Sequence, residues 1–304
     1  MKKYTDEYIA SLLPFPAEDA NKYTRGKLTL IVGSSTYPGA AALSSLASQR
    51  AGAGYTEVFT EDSIVSQLQM YHPSLVVRPW TSFNEHDLKV SSDHHPCAFV
   101  VGCGFDPGNP YASNITRALL RHAQAPVLVD GTALRLLSGR RFRSLCEDRY
   151  HAGYSTIITP HGGEANALAR VFNIPTGDPE DLALMLSQAY GAITVLKGPK
   201  TYITDGDGLY CMDKGTPALA KAGTGDVLAG IIGALLAQGL GPVESCVLGT
   251  TMHAYSGIFA AQDYSTISVC AEEIIRYLPD AVFHLKEVAE RAAARDAAAS
   301  NGKR

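Results

Sequence analysis

An α/β fold, built as a three-layer α/β/α sandwich around a mainly parallel sheet, is what this sequence predicts. Three observations carry that prediction. Short, β-branched apolar runs alternate with helix-like segments along most of the 304 residues. Nearly every run stops at a glycine or a polar residue, where a chain leaving a strand must turn. Hydrophobic residues make up 46% of the chain, enough for a sizeable buried core.

The elements follow in order. Residues 28–33 read as a first strand stopped by Gly33, residues 40–51 as a small-residue helix ended by Gly52, and residues 55–60 as the next strand. Residues 98–102 and 127–130 repeat the strand pattern. Residues 156–159 run into Pro160, residues 164–172 look helical, and residues 193–197 form another strand. Residues 201–204 and 209–212 flank Asp205, Gly206, Asp207 and Gly208, which reads as a hairpin. From Asp226 onward the chain is mostly helical. No Pro/Ser-rich linker or internal repeat divides it, so residues 1–285 read as one domain. Residues 286–304 read as a frayed helix or tail, for want of an apolar face.

Composition narrows the function. Charged residues make up only 18%, against roughly a quarter in an average globular protein, which points to extensive packing or a homo-oligomer. A net charge of −4 with no basic stripe argues against a nucleic-acid partner. Cysteines at 97, 103, 146, 211, 246 and 270 form no C-x-x-C pair and read as thiols in a reducing compartment. No apolar leader follows Met1, Lys2 and Lys3, and residues 227–240 are too short and glycine-rich to span a bilayer. A cytoplasmic protein without a membrane partner is expected.

The strongest motif is Gly223, Thr224, Gly225 and Asp226, followed by apolar residues at helical spacing (227, 228, 231, 232, 235 and 236). It sits at a helix N-terminus, where unpaired amides and the dipole favour a phosphate. Asp226 then either accepts a proton from a hydroxyl or caps the helix. In Thr159, Pro160, His161, Gly162, Gly163 and Glu164 a strand end meets a helix start. There His161 could bond a ligand and Glu164 could reach a Mg²⁺ ion, or the glutamate simply suits the first turn. Lys197, Gly198, Pro199, Lys200 and Thr201 read as a nucleotide contact or a solvated turn. The glycine loops 33–40 and 101–104 lack dinucleotide and P-loop spacing. His94 and His95 read as loop surface, and His253 as a core histidine.

Taken in this order, the motifs resemble the ADP/ATP-dependent NAD(P)H-hydrate dehydratase family, a carbohydrate-kinase-like branch of the ribokinase superfamily. The resemblance runs from about residue 22 to 279. Residues 218–230 are similar to the family's A-x-G-G-T-G-D-x-L-x-G, residues 159–164 to its T-P-H-P-G-E, and residues 195–198 to its L-K-G. It implies a ribokinase-like fold without the epimerase domain that precedes this one in many members. The implied reaction phosphorylates the C6 hydroxyl of (6S)-NAD(P)HX with ADP or ATP, and loss of phosphate restores NAD(P)H. Carried over by position, Asp226 is the base, and Gly223, Thr224 and Gly225 stabilise the transferring group. Ala40, Gly104 and His161 contact the hydrate. Lys197, Gly198, Pro199, Lys200, Thr201 and Gly225 contact the nucleotide, and Glu164 helps place Mg²⁺. The chain departs from the family pattern at Cys103, Gly131, Gly162 and Thr216. A kinase of a vitamin-precursor alcohol and a non-catalytic nucleotide-binding protein are the competing readings.

Overall fold

The computed structural model of the chain describes residues 4–301. Nine strands form one sheet: β1 Lys27–Ile31, β2 Tyr55–Thr60, β3 Val76–Pro79, β4 Cys97–Val101, β5 Val127–Val129, β6 Thr156–Ile158, β7 Ile193–Leu196, β8 Thr201–Thr204 and β9 Leu209–Met212. Their spatial order is β3-β2-β1-β4-β5-β6-β7-β8-β9. All pairs from β3 to β7 are parallel, and β8 and β9 add an antiparallel hairpin at one edge. The helices are α1 Asp6–Ser11, α2 Pro38–Arg50, α3 Val65–Tyr71, α4 Pro110–His122, α5 Thr132–Leu137, α6 Arg140–His151, α7 Gly162–Arg170, α8 Pro179–Tyr190, α9 Thr224–Ala237, α10 Pro242–Ser268, α11 Ala271–Arg276 and α12 Leu278–Asn301.

Strand side chains alternate between two faces, and both faces are covered. Leu28, Leu30, Ala98, Val100 and Leu128 join one core with α2, α9, α10, α11 and α12. Ile31, Phe99, Val101, Val127 and Val129 join the other with α4 to α8. This is why the strands read as continuous apolar runs. Helix α9 is apolar on all sides because it is enclosed between the sheet, α2 and α10. Gly230 makes the enclosure possible: a Cβ there would stand 2.1 Å from the Ser44 carbonyl oxygen on α2.

Two findings differ from the sequence reading. The four-residue β3 was not anticipated; it pairs only with β2 and ends in Pro79, which an edge strand tolerates. Residues 286 onward are not an unpacked tail: α12 runs to Asn301, with Val288 and Ala289 against the core and Arg295 bonded to Glu7 at 2.9 Å. The reason is that α1 docks along α12 and supplies the partner surface that composition alone does not reveal. Residues 302–304 lie outside the described residues. All six cysteines are free, and no helix among the described residues is long and apolar enough to cross a membrane.

Candidate active site

Parallel strands end together, so residues far apart in sequence meet beyond their carboxyl ends. There β4 delivers Cys103, β5 delivers Asp130, β6 delivers Thr159, and β7 delivers Lys197. The head of α9 adds Asp226. Asp130 is 3% exposed. Its Oδ1 accepts a 2.6 Å bond from the Thr159 hydroxyl and a 3.0 Å bond from Lys197 Nζ. Its Oδ2 accepts from the Cys103 thiol at 3.6 Å. One donor atom each of Cys103, Asp130 and Asp226 lies within 4.8 Å of the others.

This crowding sets the charge states. Burial first, and then the Asp130 charge, raise the Asp226 carboxyl to about 6, against the pull of Lys197 and a bond from Cys103. Burial works against the Lys197 ammonium, but Asp130 and Glu164 outweigh it and keep its pKa above the ordinary lysine value. Burial, reinforced by both aspartates, pushes the Cys103 thiol well up, so it is neutral and no nucleophile.

Helix α9 starts at Gly223, whose φ of 91° is the left-handed conformation that glycine adopts without strain. Thr224 Oγ1 donates to the carbonyls of Leu219 and Lys221 at 2.8 and 2.9 Å, pinning the turn. Gly225 and Asp226 follow as the second and third helical residues, with amides that have no partner one turn back. Gly225 faces Lys197: a Cβ there would sit 3.4 Å from Nζ. Beneath the turn, His253 of α10 stands beside the Thr224 backbone. Burial brings its pKa down to about 4, so the imidazole is neutral; its Nε2 has no partner among the described residues.

His161 and Glu164 begin α7 by capping each other. His161 Nδ1 accepts from the amides of Gly163 and Glu164 at 3.0 and 3.4 Å, and Glu164 Oε2 accepts from the His161 amide at 2.9 Å. The Lys197 amide donates to the Pro160 carbonyl at 2.9 Å, which sets this turn beside the β7–β8 turn. Gly198, Pro199 and Lys200 are exposed there, and Thr201 opens β8. Ala40, in the first turn of α2, abuts Gly104 so closely that a Cβ on Gly104 would come within 2.4 Å of its own. The sequence-predicted residues thus lie on neighbouring turns, Gly225 against Lys197, His161 against Lys197, and Ala40 against Gly104.

Magnesium bound with a nucleotide takes most ligands from phosphate and water and needs one or two carboxylates. Glu164 fits, because its cap uses one oxygen and leaves the other. The group of Cys103, Asp130 and Asp226 does not, since an ammonium already sits on Asp130 and the thiol is protonated. The sequence reading gave Asp130 and Thr159 no role of their own, although Thr159 opens the second motif. An aspartate ending a parallel strand was the available signal. A cavity of about 710 Å³ lies at the amino ends of β6 and β7, lined by Tyr150, Thr156, Tyr210 and Glu244, away from this chemistry.

Comparison with known proteins adds to this geometry. An ADP-dependent (S)-NAD(P)H-hydrate dehydratase from Neisseria meningitidis is 31% identical over 81% of this chain and 83% of its own length. A bifunctional NAD(P)H-hydrate repair enzyme from Thermofilum pendens is 31% identical over 90% of this chain, which spans only 53% of that relative. The ADP/ATP-dependent NAD(P)H-hydrate dehydratase from Bacillus subtilis, co-crystallised with ATP/Mg²⁺, superposes with a TM-score of 0.75 at 25% identity, covering 92% of this chain and 97% of that one. The three-layer architecture is the ribokinase-like one. The Carb_kinase family model, described as NAD(P)H-hydrate dehydratase, matches residues 28–280, and the chain belongs to that family.

Proposed function

We propose that this protein dehydrates (6S)-NAD(P)HX to NAD(P)H, consuming ADP or ATP. The observation that carries the reading is Asp226, a carboxylate of raised proton affinity standing in the first turn of a glycine-capped helix. In that position Asp226 takes the proton from the C6 hydroxyl as its oxygen attacks the terminal phosphorus of the nucleotide, whose bond to the bridging oxygen breaks so that AMP leaves from ADP, or ADP from ATP. The family resemblance assigns the amides of Gly223, Thr224 and Gly225 to the charge that develops on the transferring group; of these, the Thr224 amide also donates to the Lys221 carbonyl at 3.4 Å. The phosphoester then leaves as phosphate with the C6–O bonding pair, and a ring proton on the neighbouring carbon is lost. Hydroxide is a poor leaving group and phosphate a good one, which is why a nucleotide is spent on a dehydration.

The remaining assignments are those the family resemblance implies, and the closeness of these turns supports them. Ala40, Gly104 and His161 hold the hydrate, and Lys197, Gly198, Pro199, Lys200, Thr201 and Gly225 hold the nucleotide. Glu164 would hold Mg²⁺, which when bound neutralises phosphate charge. We also read the chain as a cytoplasmic homo-oligomer. Low charge content supports self-association, and sedimentation equilibrium tests it.

The test mixes the protein with NADHX or NADPHX, Mg²⁺, and ADP or ATP, and follows the reduced-nicotinamide absorbance. Recovery of the band that requires nucleotide is expected. EDTA should abolish it and excess Mg²⁺ restore it. Asp226→Asn should lower the rate by about 10²–10⁴-fold, the range for a removed general base. Nucleotide binding without recovery in wild type would overturn the reading and direct attention to phosphorylation of vitamin-precursor alcohols.

A further inference from the structure

Asp130 is the most constrained group beside Asp226. The Thr159 hydroxyl and the Lys197 ammonium both hold Oδ1, so the carboxylate cannot turn away, and Oδ2 stays on the Cys103 side of the site. An Asp130 oxygen lies within 4.8 Å of an Asp226 oxygen. We propose that Asp130 is a positioning residue for the reaction, presenting a fixed negative charge to Asp226 and keeping Lys197 from pairing with it. This inference rests on Asp226 acting as the base.

The chemistry behind it is a competition for one ammonium. Two carboxylates and one lysine share a half-enclosed space, and a base paired with the lysine is a weak base. Thr159 and Lys197 converge on Asp130, not on Asp226, so the lysine neutralises the carboxylate that does no proton transfer. The groups facing Asp226 are Asp130 from β5, Lys197 from β7 and Cys103 from β4. His253 of α10 is neutral, and Glu164 of α7 acts on Lys197. Among these, only Asp130 adds to burial in raising the proton affinity of Asp226, while Lys197 and Cys103 lower it.

Replacing Asp130 with asparagine keeps the size, removes the charge and frees Lys197 to swing to Asp226. The acidic limb of the pH–rate profile should then move down by about one pH unit, and the plateau rate should fall, because the base is weaker. The same shift should appear in a carboxyl ¹³C NMR titration of Asp226 without substrates, its signal assigned by its loss in Asp226→Asn. Lys197→Met should move that NMR midpoint the opposite way, upward, and if Asp130→Asn does not fold, Asp130→Ser, which also removes the charge, repeats the titration with the same expected downward shift. A lower rate with an unmoved midpoint in both readouts would make Asp130 merely structural and overturn the inference. If wild type forms no NAD(P)H, the base assignment fails on its own. The NMR midpoints still report whether Asp130 governs Asp226, and an unmoved midpoint in folded Asp130→Asn overturns that too.

Discussion

At Asp226, burial and the neighbouring Asp130 charge both favour the protonated acid, and the carboxyl titrates at about 6 instead of the ordinary value of 3.8. The sign of the effect on stability follows from linkage. The folded protein binds this proton more tightly than the unfolded chain does, so the associated stability is full below about pH 4 and is lost as pH rises through about 6. Above that, an ionised carboxylate is held where it is disfavoured. Asp226→Asn, inert as a base, should therefore melt higher than wild type at pH 8 and lose that advantage at pH 4. The expected gain is roughly 1–3 kcal/mol, from about two pKa units at 1.36 kcal/mol each, less an allowance for solvent access. Thermal melts at both pH values check it, and an equal offset at the two would remove the electrostatic explanation.

Among the elements, α9 carries the most. It brings Asp226 to the strand ends and forms the middle of one core, and it does both only because α2 approaches closely at Gly230. A methyl group at that position meets the backbone oxygen of Ser44, not a movable side-chain end. Gly230→Ala should cost about 2–3 kcal/mol through overpacking, lowering the urea midpoint with an unchanged slope. Because the α9–α2 contact leads to the turn proposed to bind the phosphate, nucleotide affinity should fall in the same variant. A neutral outcome in both would mean that α2 slides away freely. Helix α7 illustrates a different economy: the mutual cap of His161 and Glu164 orients two residues of the site while satisfying backbone donors.

At the largest scale, the first and last described helices pack against each other. Helix α1 lies along α12, and Arg295 meets Glu7 across 288 residues of sequence separation. Ending the chain after residue 285 removes Val288, Ala289 and the Arg295 contact. That shortened protein should lose about 2 kcal/mol and expose α1 to faster proteolysis. Ending it after residue 296 should leave both unchanged. Urea melts and limited proteolysis separate the two cases, and a silent first truncation would return residues 286–304 to the status of a tail.

Local patterning fixed much of this protein. Strand runs such as 55–60, 201–204 and 209–212, the hairpin turn, and the helix opening at Gly223 to Asp226 are legible because they depend on residues within a few positions of one another. Element β3 was not, since four residues at a sheet edge leave too short a period to read. The partnership of Asp130, Thr159, Lys197 and Cys103 was not either. Sequence shows each as a residue ending its own strand, and only the parallel order β4-β5-β6-β7 puts those ends side by side. Whether Lys197 pairs with Asp130 or with Asp226 is likewise a matter of distances across the sheet, set by strand spacing and the approach of α9. Sequence determined which side chains were present; packing decided which of the two carboxylates the lysine pairs with.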